Sequence, residues 1–228
     1  MTVAALYDVH GNLPALEAVL ADVPADAAIV VGGDVVYGPF PAETLERLRG
    51  LGDRVQWLRG NVDRELDPGE DGLAPGETIE WVRGRLSDEQ IAFLHGLPPT
   101  VELELDGLGR VLFCHATPRN DLDVFTAITP AERVAPAFAG VDADLVVVGH
   151  THMQFDREIA GIRVVNAGSV GMSYDEPPGA YWALLPSGGD VELTMTPYEL
   201  DTGEWPGEWP SATRDEATAH FETLALGS

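Results

Sequence analysis

Aspartate, asparagine and histidine side chains follow five short apolar runs of this sequence. They lie in the segments Asp8-Val9-His10, Gly33-Asp34, Gly60-Asn61, Cys114-His115 and Gly149-His150-Thr151-His152. Residues two apart that leave a strand point to the same side, so Asp8 and His10 can bind one ion together. His150 and His152 can do the same. Imidazole, carboxylate and amide ligands without thiolate favour Mn, Fe, Zn or Co over a structural, cysteine-bound zinc.

The charge of the chain explains why such ions would be needed. The 228 residues include 13 basic and 38 acidic side chains, a formal charge of −25, and no lysine. Without lysine there is no Schiff-base chemistry and no P-loop, and so acidic a surface repels a nucleic-acid backbone. Two divalent ions held by two aspartates would leave a local charge of about +2. This is the positive centre that an anionic phosphate ester requires.

The first half of the sequence predicts strands and helices that alternate. Residues 3–7, 27–31 and 55–58 have the length and composition of buried strands. Helices are predicted after the first two, one capped by Asn12 and the other running from about Pro41 to Arg49. This alternation is typical of parallel strands joined by crossover helices, whose carboxyl ends gather ligands at one sheet edge.

The second half is predicted to be mostly β. Strict alternation over residues 101–105, a DGLG turn and the run 111–113 predict a hairpin. Further strands are predicted at 145–148, 162–165, 180–185 and 191–195, the last two around an SGGD turn. The order fits two packed sheets better than one doubly wound sheet.

Two other segments carry predictions of their own. Residues 65–77 are acidic and rich in glycine and proline, which predicts a loop, either a lid that discourages polyanions or an ordinary solvated loop. The tail repeats Gly-Glu-Trp-Pro at 203–206 and 207–210 and then forms a short amphipathic helix. We expect a domain over 1–200 and a C-terminal extension, 201–228, packed on it.

The ordered motifs DxH, GD, GN, H and GHxH resemble those of the calcineurin-like metallophosphoesterase superfamily. The segments GD…YGP and NAGSVG are similar to those of its small bacterial single-domain phosphodiesterases, and the resemblance runs from about residue 3 to about residue 195. It implies an α/β (α+β) fold, a four-layer α/β/β/α sandwich of two mixed β-sheets flanked by helices. The metals would lie at one end of the sandwich.

The resemblance also implies two metal sites. The first would consist of Asp8, His10, Asp34 and His152. The second would consist of Asp34, Asn61, His115 and His150, so that Asp34 bridges two divalent transition-metal ions. Manganese is the first expectation for the ions, with iron, zinc, cobalt or nickel as alternatives. Catalytic roles would fall to Asp34, Asn61 and His115, and Asn61 would also bind substrate.

Two residues close in sequence to the predicted ligands carry expectations about substrate binding and leaving-group protonation. Arg119 can contact the substrate phosphate through its planar guanidinium, with a plain surface role as the alternative. Many relatives carry a histidine after the ligand asparagine that protonates the leaving group, whereas Val62 follows Asn61 here. General acid catalysis is worth about 10²- to 10⁴-fold. We therefore expect activated aryl phosphodiesters to be cleaved far better than alkyl ones.

The predicted function is hydrolysis of a small phosphodiester by a metal-activated hydroxide. A phosphomonoesterase acting on a nucleotide or phosphoprotein is an alternative, and so is a non-catalytic scaffold, since a retromer subunit has this fold. Neither a nucleic-acid polymer nor a membrane is expected as a partner, and the oligomeric state stays open. One cysteine, Cys114, and an amino terminus without a signal-like segment predict a cytoplasmic protein.

Overall fold

The computed structural model describes residues 1–66 and 76–226. Its strands are β1 (Val3–Leu6), β2 (Ala28–Val31), β3 (Val55–Trp57), β4 (Thr100–Leu105), β5 (Gly109–Cys114), β6 (Leu145–Val148), β7 (Phe155–Ile159), β8 (Ile162–Asn166), β9 (Ala180–Leu185) and β10 (Glu192–Thr196). Its helices are α1 (Leu13–Asp22), α2 (Pro41–Arg49), α3 (Asn61–Glu65), α4 (Gly76–Arg83), α5 (Asp88–His95), α6 (Ala131–Val134) and α7 (Arg214–Leu224). No helix among these residues is long and apolar enough to cross a membrane.

The strands form two mixed five-stranded sheets. The first has the order β10-β9-β1-β2-β3, in which β1, β2 and β3 are parallel. The second has the order β4-β5-β6-β8-β7, in which β5, β6 and β8 are parallel. Parallel neighbours end at the same edge, so the loops after β1, β2 and β3 lie together, as do those after β5, β6 and β8.

Alternation along β1 separates two layers of the core. Val3 and Ala5 point between the sheets, where they join a cluster that includes Phe113. Ala4 and Leu6 point to the other face and join the cluster of the helical layer. A third buried cluster covers the outer face of the second sheet. The predicted four-layer sandwich is therefore confirmed.

The strand pattern also separates Cys114 from its neighbour. The Cys114 thiol is buried in the outer cluster with Phe125 and Phe138. Burial raises the pKa of this thiol, which keeps it protonated and unreactive.

Most predicted elements form at their expected places. Asn12 caps α1 by accepting a hydrogen bond from the Ala15 amide at 3.1 Å. The sequence did not reveal β7, whose charged residues give a weak pattern because it lies at the edge of its sheet, beside β8. Most of the predicted loop at 65–77 lies outside the described residues, so its role as a lid stays a prediction.

The C-terminal extension contacts the rest of the chain at both ends. The Trp205 ring packs edge-on against Tyr37 and Trp81, with centroids 5.0 and 5.3 Å apart. At the far end, the Leu226 amide donates to the Val124 carbonyl at 3.0 Å. The boundary predicted at residue 200 stays a prediction.

Candidate metal centre

The polar side chains after the strands sit on unusual backbone. Five of the predicted ligands have φ between 49° and 67°: Asp8, His10, Asp34, His150 and His152. Ala160 is the one other non-glycine residue with positive φ in the part of the chain that the structure describes. Such conformations cost about 1–3 kcal/mol each and persist only where the surrounding fold imposes them. Their concentration at the ligands marks this edge as a functional site.

Hydrogen bonds between neighbouring loops impose these conformations. The Asp8 amide donates to the Gly33 carbonyl at 3.2 Å, and the His10 amide donates to the Asp34 carbonyl at 2.9 Å. Across the two sheets, the His150 amide donates to Asp8 Oδ2 at 2.9 Å. The loops of β1, β2 and β6 therefore hold one another in place.

A first group of ligand atoms surrounds Asp8. Its Oδ1 lies 3.4 Å from His152 Nε2 and 3.8 Å from His10 Nε2. The two Nε2 atoms lie 3.0 Å apart. These three residues all come from the first metal site that the resemblance implied.

A second group surrounds His115. Its Nε2 lies 3.1 Å from Asn61 Oδ1, 3.5 Å from Asp34 Oδ2 and 3.9 Å from Asp8 Oδ1. The His150 ring lies beside it, with centroids 5.1 Å apart. Because Asp34 Oδ2 is also 3.9 Å from His10 Nε2, its carboxylate stands between the two groups.

The fold holds three of the imidazoles with Nε2 facing inward. Their Nδ1 atoms lie 3.2, 2.9 and 2.7 Å from backbone carbonyl oxygens, for His10, His115 and His152 respectively. A carbonyl only accepts, so each Nδ1 carries a hydrogen, and Nε2 is the ring nitrogen that a metal can bind once it holds no proton. Burial opposes charge on His152, but the Asp8 carboxylate outweighs it and raises the pKa of this ring. Without a metal, His152 Nε2 can therefore donate to His10 Nε2, 3.0 Å away.

Unpartnered buried atoms show that a metal fits this site. Asp8 Oδ1 and His150 Nε2 are buried and have no hydrogen-bonding partner among the described residues. An unsatisfied buried polar atom costs roughly 1–3 kcal/mol. A divalent cation in each ligand group would satisfy these atoms, and the oxygen and nitrogen ligands suit a transition metal.

Burial and charge set the protonation of the histidines. Burial and a neighbouring histidine lower the pKa of His10 and of His150 to about 4. Burial also opposes charge on His115, but the carboxylates of Asp34 and Asp8 outweigh it and raise its pKa to about 10. Below that pH the metal-free site holds a proton on His115 that a metal must displace. Metal affinity therefore increases with pH.

Asp63 caps α3 and also holds two loops of the site together. Its Oδ2 accepts from the amides of Asp34 and Gly60 at 2.8 and 3.0 Å, and its Oδ1 accepts from the Val35 amide at 3.0 Å. Burial and the nearby Asp34 carboxylate raise the pKa of Asp63 to about 7. This one side chain joins the loops that carry Asp34 and Asn61.

We predict that Asp63→Asn lowers metal affinity by about 10- to 100-fold, the usual effect of losing a group that orients ligands. The asparagine amide cannot accept from all three backbone donors. Calorimetric titration with Mn²⁺ measures the change, and Asp53→Asn, at an exposed position, is the matched control. Equal affinities in the two variants would contradict the positioning role.

Glu65 is a positioning residue that sequence reasoning missed. Its Oε1 accepts from Asn61 Nδ2 at 2.9 Å, which directs Asn61 Oδ1 toward His115. The available signal was the i, i+4 spacing of the two residues, which brings them together once α3 is known to be a helix.

A cavity of about 450 Å³ opens over the ligands. Its lining includes Val62 and the ligands His10, Asp34, Asn61, His150 and His152. The other lining residues are Tyr37, Met172, Tyr174, Glu208, Trp209, Pro210, Ser211, Ala212 and Phe221. The sequence did not indicate that the C-terminal extension would contribute so much of this wall.

The structure does not bring Arg119 into this cavity. Its Nε and Nη2 donate to the two carboxylate oxygens of Asp123 at 3.0 and 2.8 Å. It lines a separate recess, together with His115. A contact between Arg119 and substrate stays a prediction, and it would require the guanidinium to leave Asp123.

Comparison with known proteins identifies the family. Residues 1–186 match the model of the calcineurin-like phosphoesterase superfamily domain. A metallophosphoesterase of Sphaerobacter thermophilus is 29% identical, with TM-score 0.70 over 87% of this chain and 90% of that one. The hypothetical protein PH1004 of Pyrococcus horikoshii OT3 is 22% identical, with TM-score 0.76 over 87% and 88% of the two chains.

A curated relative is also similar in sequence. The uncharacterized protein MJ0912 of Methanocaldococcus jannaschii is 28% identical over 183 residues, which are 76% of this chain and 72% of that protein. The matched family uses divalent metal ions, and the residues gathered at the sheet edges are able to hold them. On the match over residues 1–186, the chain belongs to the calcineurin-like phosphoesterase superfamily.

Proposed function

We propose that this protein hydrolyses small phosphodiesters with the help of two divalent ions. The observation that carries the proposal is the position of Asp34, whose Oδ2 lies within 3.9 Å of both His10 Nε2 and His115 Nε2. One carboxylate can thus serve two ligand groups. Bound there, the ions would activate a water molecule and neutralise charge on the phosphate in the transition state.

The other side chains of the site would bind the two ions and contact the substrate. Asp8, His10 and His152 would hold one ion, and Asn61, His115 and His150 the other. Asn61 also lines the cavity, and the amide hydrogen that it does not donate to Glu65 would contact a phosphate oxygen. The carbonyl contacts of three of the histidines fix their rings before substrate arrives, so little reorganisation is needed during the reaction.

The charge of the cavity favours a diester over a monoester. Among the described residues that line it, none is an arginine, and Glu208 is a carboxylate outside the ligand set. A monoester dianion would find no guanidinium to offset its second charge, and Glu208 would repel it more strongly than a diester monoanion. The phosphomonoesterase alternative therefore has less support.

The test compares aryl diester and monoester hydrolysis. Metal-depleted protein reloaded with Mn²⁺ is expected to cleave bis(p-nitrophenyl) phosphate with a kcat/KM at least about 10-fold above that of p-nitrophenyl phosphate. Glu208→Gln is expected to narrow this ratio by about threefold. Glu204→Gln is the matched control, since this exposed residue of the first tetrapeptide copy pairs with Arg85 at 3.3 Å, outside the cavity.

Two outcomes would overturn the proposal. A higher kcat/KM for the monoester would replace it with a phosphomonoesterase. Protein that binds metal by elemental analysis, yet hydrolyses neither ester with Mn²⁺, Fe²⁺, Zn²⁺, Co²⁺ or Ni²⁺, would favour a non-catalytic scaffold.

A further inference from the structure

The two copies of the Gly-Glu-Trp-Pro tetrapeptide occupy different environments. Trp205, in the first copy, is held between Tyr37 and Trp81. Trp209, in the second copy, lines the cavity over the metal ligands and has no aromatic partner within residues 1–66 and 76–226. The first copy of the tetrapeptide therefore attaches the extension to the domain. The second copy presents an indole ring to the cavity.

The segment that follows Trp205 contributes Glu208, Trp209, Pro210, Ser211 and Ala212 to the lining of the cavity. We call residues 205–213 the strap. Trp205 fixes its beginning, and just beyond its end Arg214 forms an ion pair with Asp175 and donates to the Gln154 carbonyl at 2.6 Å. Thr213 also caps α7, which extends the attachment. Because both ends of the strap are attached to the domain, the strap forms a fixed part of the cavity wall.

An aromatic surface runs from the metal ligands to the strap. The Tyr174 ring stacks on His152, with centroids 5.9 Å apart and planes 25° apart. Phe221 packs edge-on against Tyr174 with centroids 5.9 Å apart. Trp209 completes this side of the cavity together with these two rings. A substrate whose phosphate lies at the ligands therefore has aromatic rings within the same cavity for the rest of its structure to contact.

Trp209 lines two cavities. A neighbouring cavity of about 410 Å³ has five lining residues in common with the cavity over the ligands: Tyr174, Trp209, Pro210, Ser211 and Ala212. A diester has two arms, and an arm that extends from the ligands toward this part of the strap can contact the indole. A planar aromatic group binds to such a surface most favourably. Stacked or edge-on ring pairs contribute binding free energy in addition to the contribution from the apolar area that they bury.

We propose that Trp209 is a specificity-determining residue that binds a planar aromatic ring on one arm of the phosphodiester. The inference rests on the proposed function, since it assumes a diester at the ligands. It identifies the substrate class as phosphodiesters that carry an aryl group or a nucleobase.

The first experiment measures binding without turnover. Benzylphosphonate and cyclohexylmethylphosphonate have the same anionic head and similar size, but only the first carries a planar ring. Calorimetry with Mn²⁺-loaded wild-type protein is expected to show about fivefold tighter binding of benzylphosphonate. Trp209→Ala should remove this preference, and Trp209→Phe, which keeps a ring, should restore most of it.

The second experiment measures turnover with one leaving group. Benzyl and cyclohexylmethyl p-nitrophenyl phosphate both release p-nitrophenolate, so the ratio of their kcat/KM values reports the retained arm. Wild-type protein should favour the benzyl ester by about fivefold, and Trp209→Ala should bring the ratio close to one. Glu204→Gln should keep the wild-type ratio.

The outcomes separate this inference from the proposed function. Equal binding of the two phosphonates by wild-type protein, or a preference that survives Trp209→Ala, overturns the role of Trp209. Ring-dependent binding without hydrolysis of either diester leaves Trp209 as a ring-binding residue and overturns the proposed function.

Discussion

Asp34→Asn is expected to lower kcat for diester hydrolysis by about 10³-fold or more, because it disturbs both ions at once. Asp34 Oδ2 lies within reach of both ligand groups, at 3.5 Å from His115 Nε2 and 3.9 Å from His10 Nε2. Asp8 Oδ1 lies at similar distances from the same two atoms, 3.9 and 3.8 Å. The asparagine has the same shape but no charge. In wild-type protein the Val62 amide donates a hydrogen bond to Asp34 Oδ1 at 2.9 Å. The side-chain oxygen of the asparagine can still accept this hydrogen bond. The fold should therefore survive.

Metal content is the second readout of this variant. We expect elemental analysis after dialysis to find less manganese per chain than in wild-type protein. Asp156→Asn is the matched control, because Asp156 pairs with Arg163 on the edge strand β7, away from the site. Unchanged turnover together with unchanged metal content would show that Asp34 does not bridge.

Val62→His is expected to raise kcat/KM for alkyl diesters by about 10²-fold or more, within the range typical of general acid catalysis. Val62 lines the cavity beside the ligand Asn61 and offers no proton to a leaving group. Wild-type rates should therefore fall steeply as the pKa of the leaving group rises. A histidine at this position could protonate poor leaving groups and make that dependence shallower.

The measurement is a series of diesters whose leaving groups span a wide range of pKa. Val62→Leu is the control for side-chain size, since it enlarges the residue without adding a proton donor. Equal kcat/KM values of wild-type protein across the series would show that another group already protonates the leaving oxygen. An equal gain in both variants would assign the effect to packing.

Much of the fold was predictable because its strands are local and strongly patterned. Residues 145–148 are all apolar, and the structure buries every one of them in β6. Residues 101–105 alternate, and β4 pairs with β5 as the predicted hairpin. Strand β7 escaped prediction because an edge strand exposes charged residues on one face.

The candidate site was predictable only in part, for a similar reason. A ligand such as His10 can be identified because its residue type and strand exit are visible locally. The contact between Arg119 and Asp123, only four residues away, depends on rotamers that a sequence does not display. The approach of Trp209 to the cavity depends on contacts that α7 and Trp205 make with distant parts of the chain.

By itself, the sequence determined which side chains stand at the strand ends, because residue order and short-range sterics decide where a strand stops. Tertiary structure alone decided that His10 Nε2 and His152 Nε2, 142 residues apart, lie 3.0 Å from each other. It also decided that the second tetrapeptide, and not the first, faces the ligands. Both results come from the packing of the two sheets and the extension against one another. This packing depends on contacts between segments that are far apart in the sequence, and a local sequence pattern contains no information about such contacts.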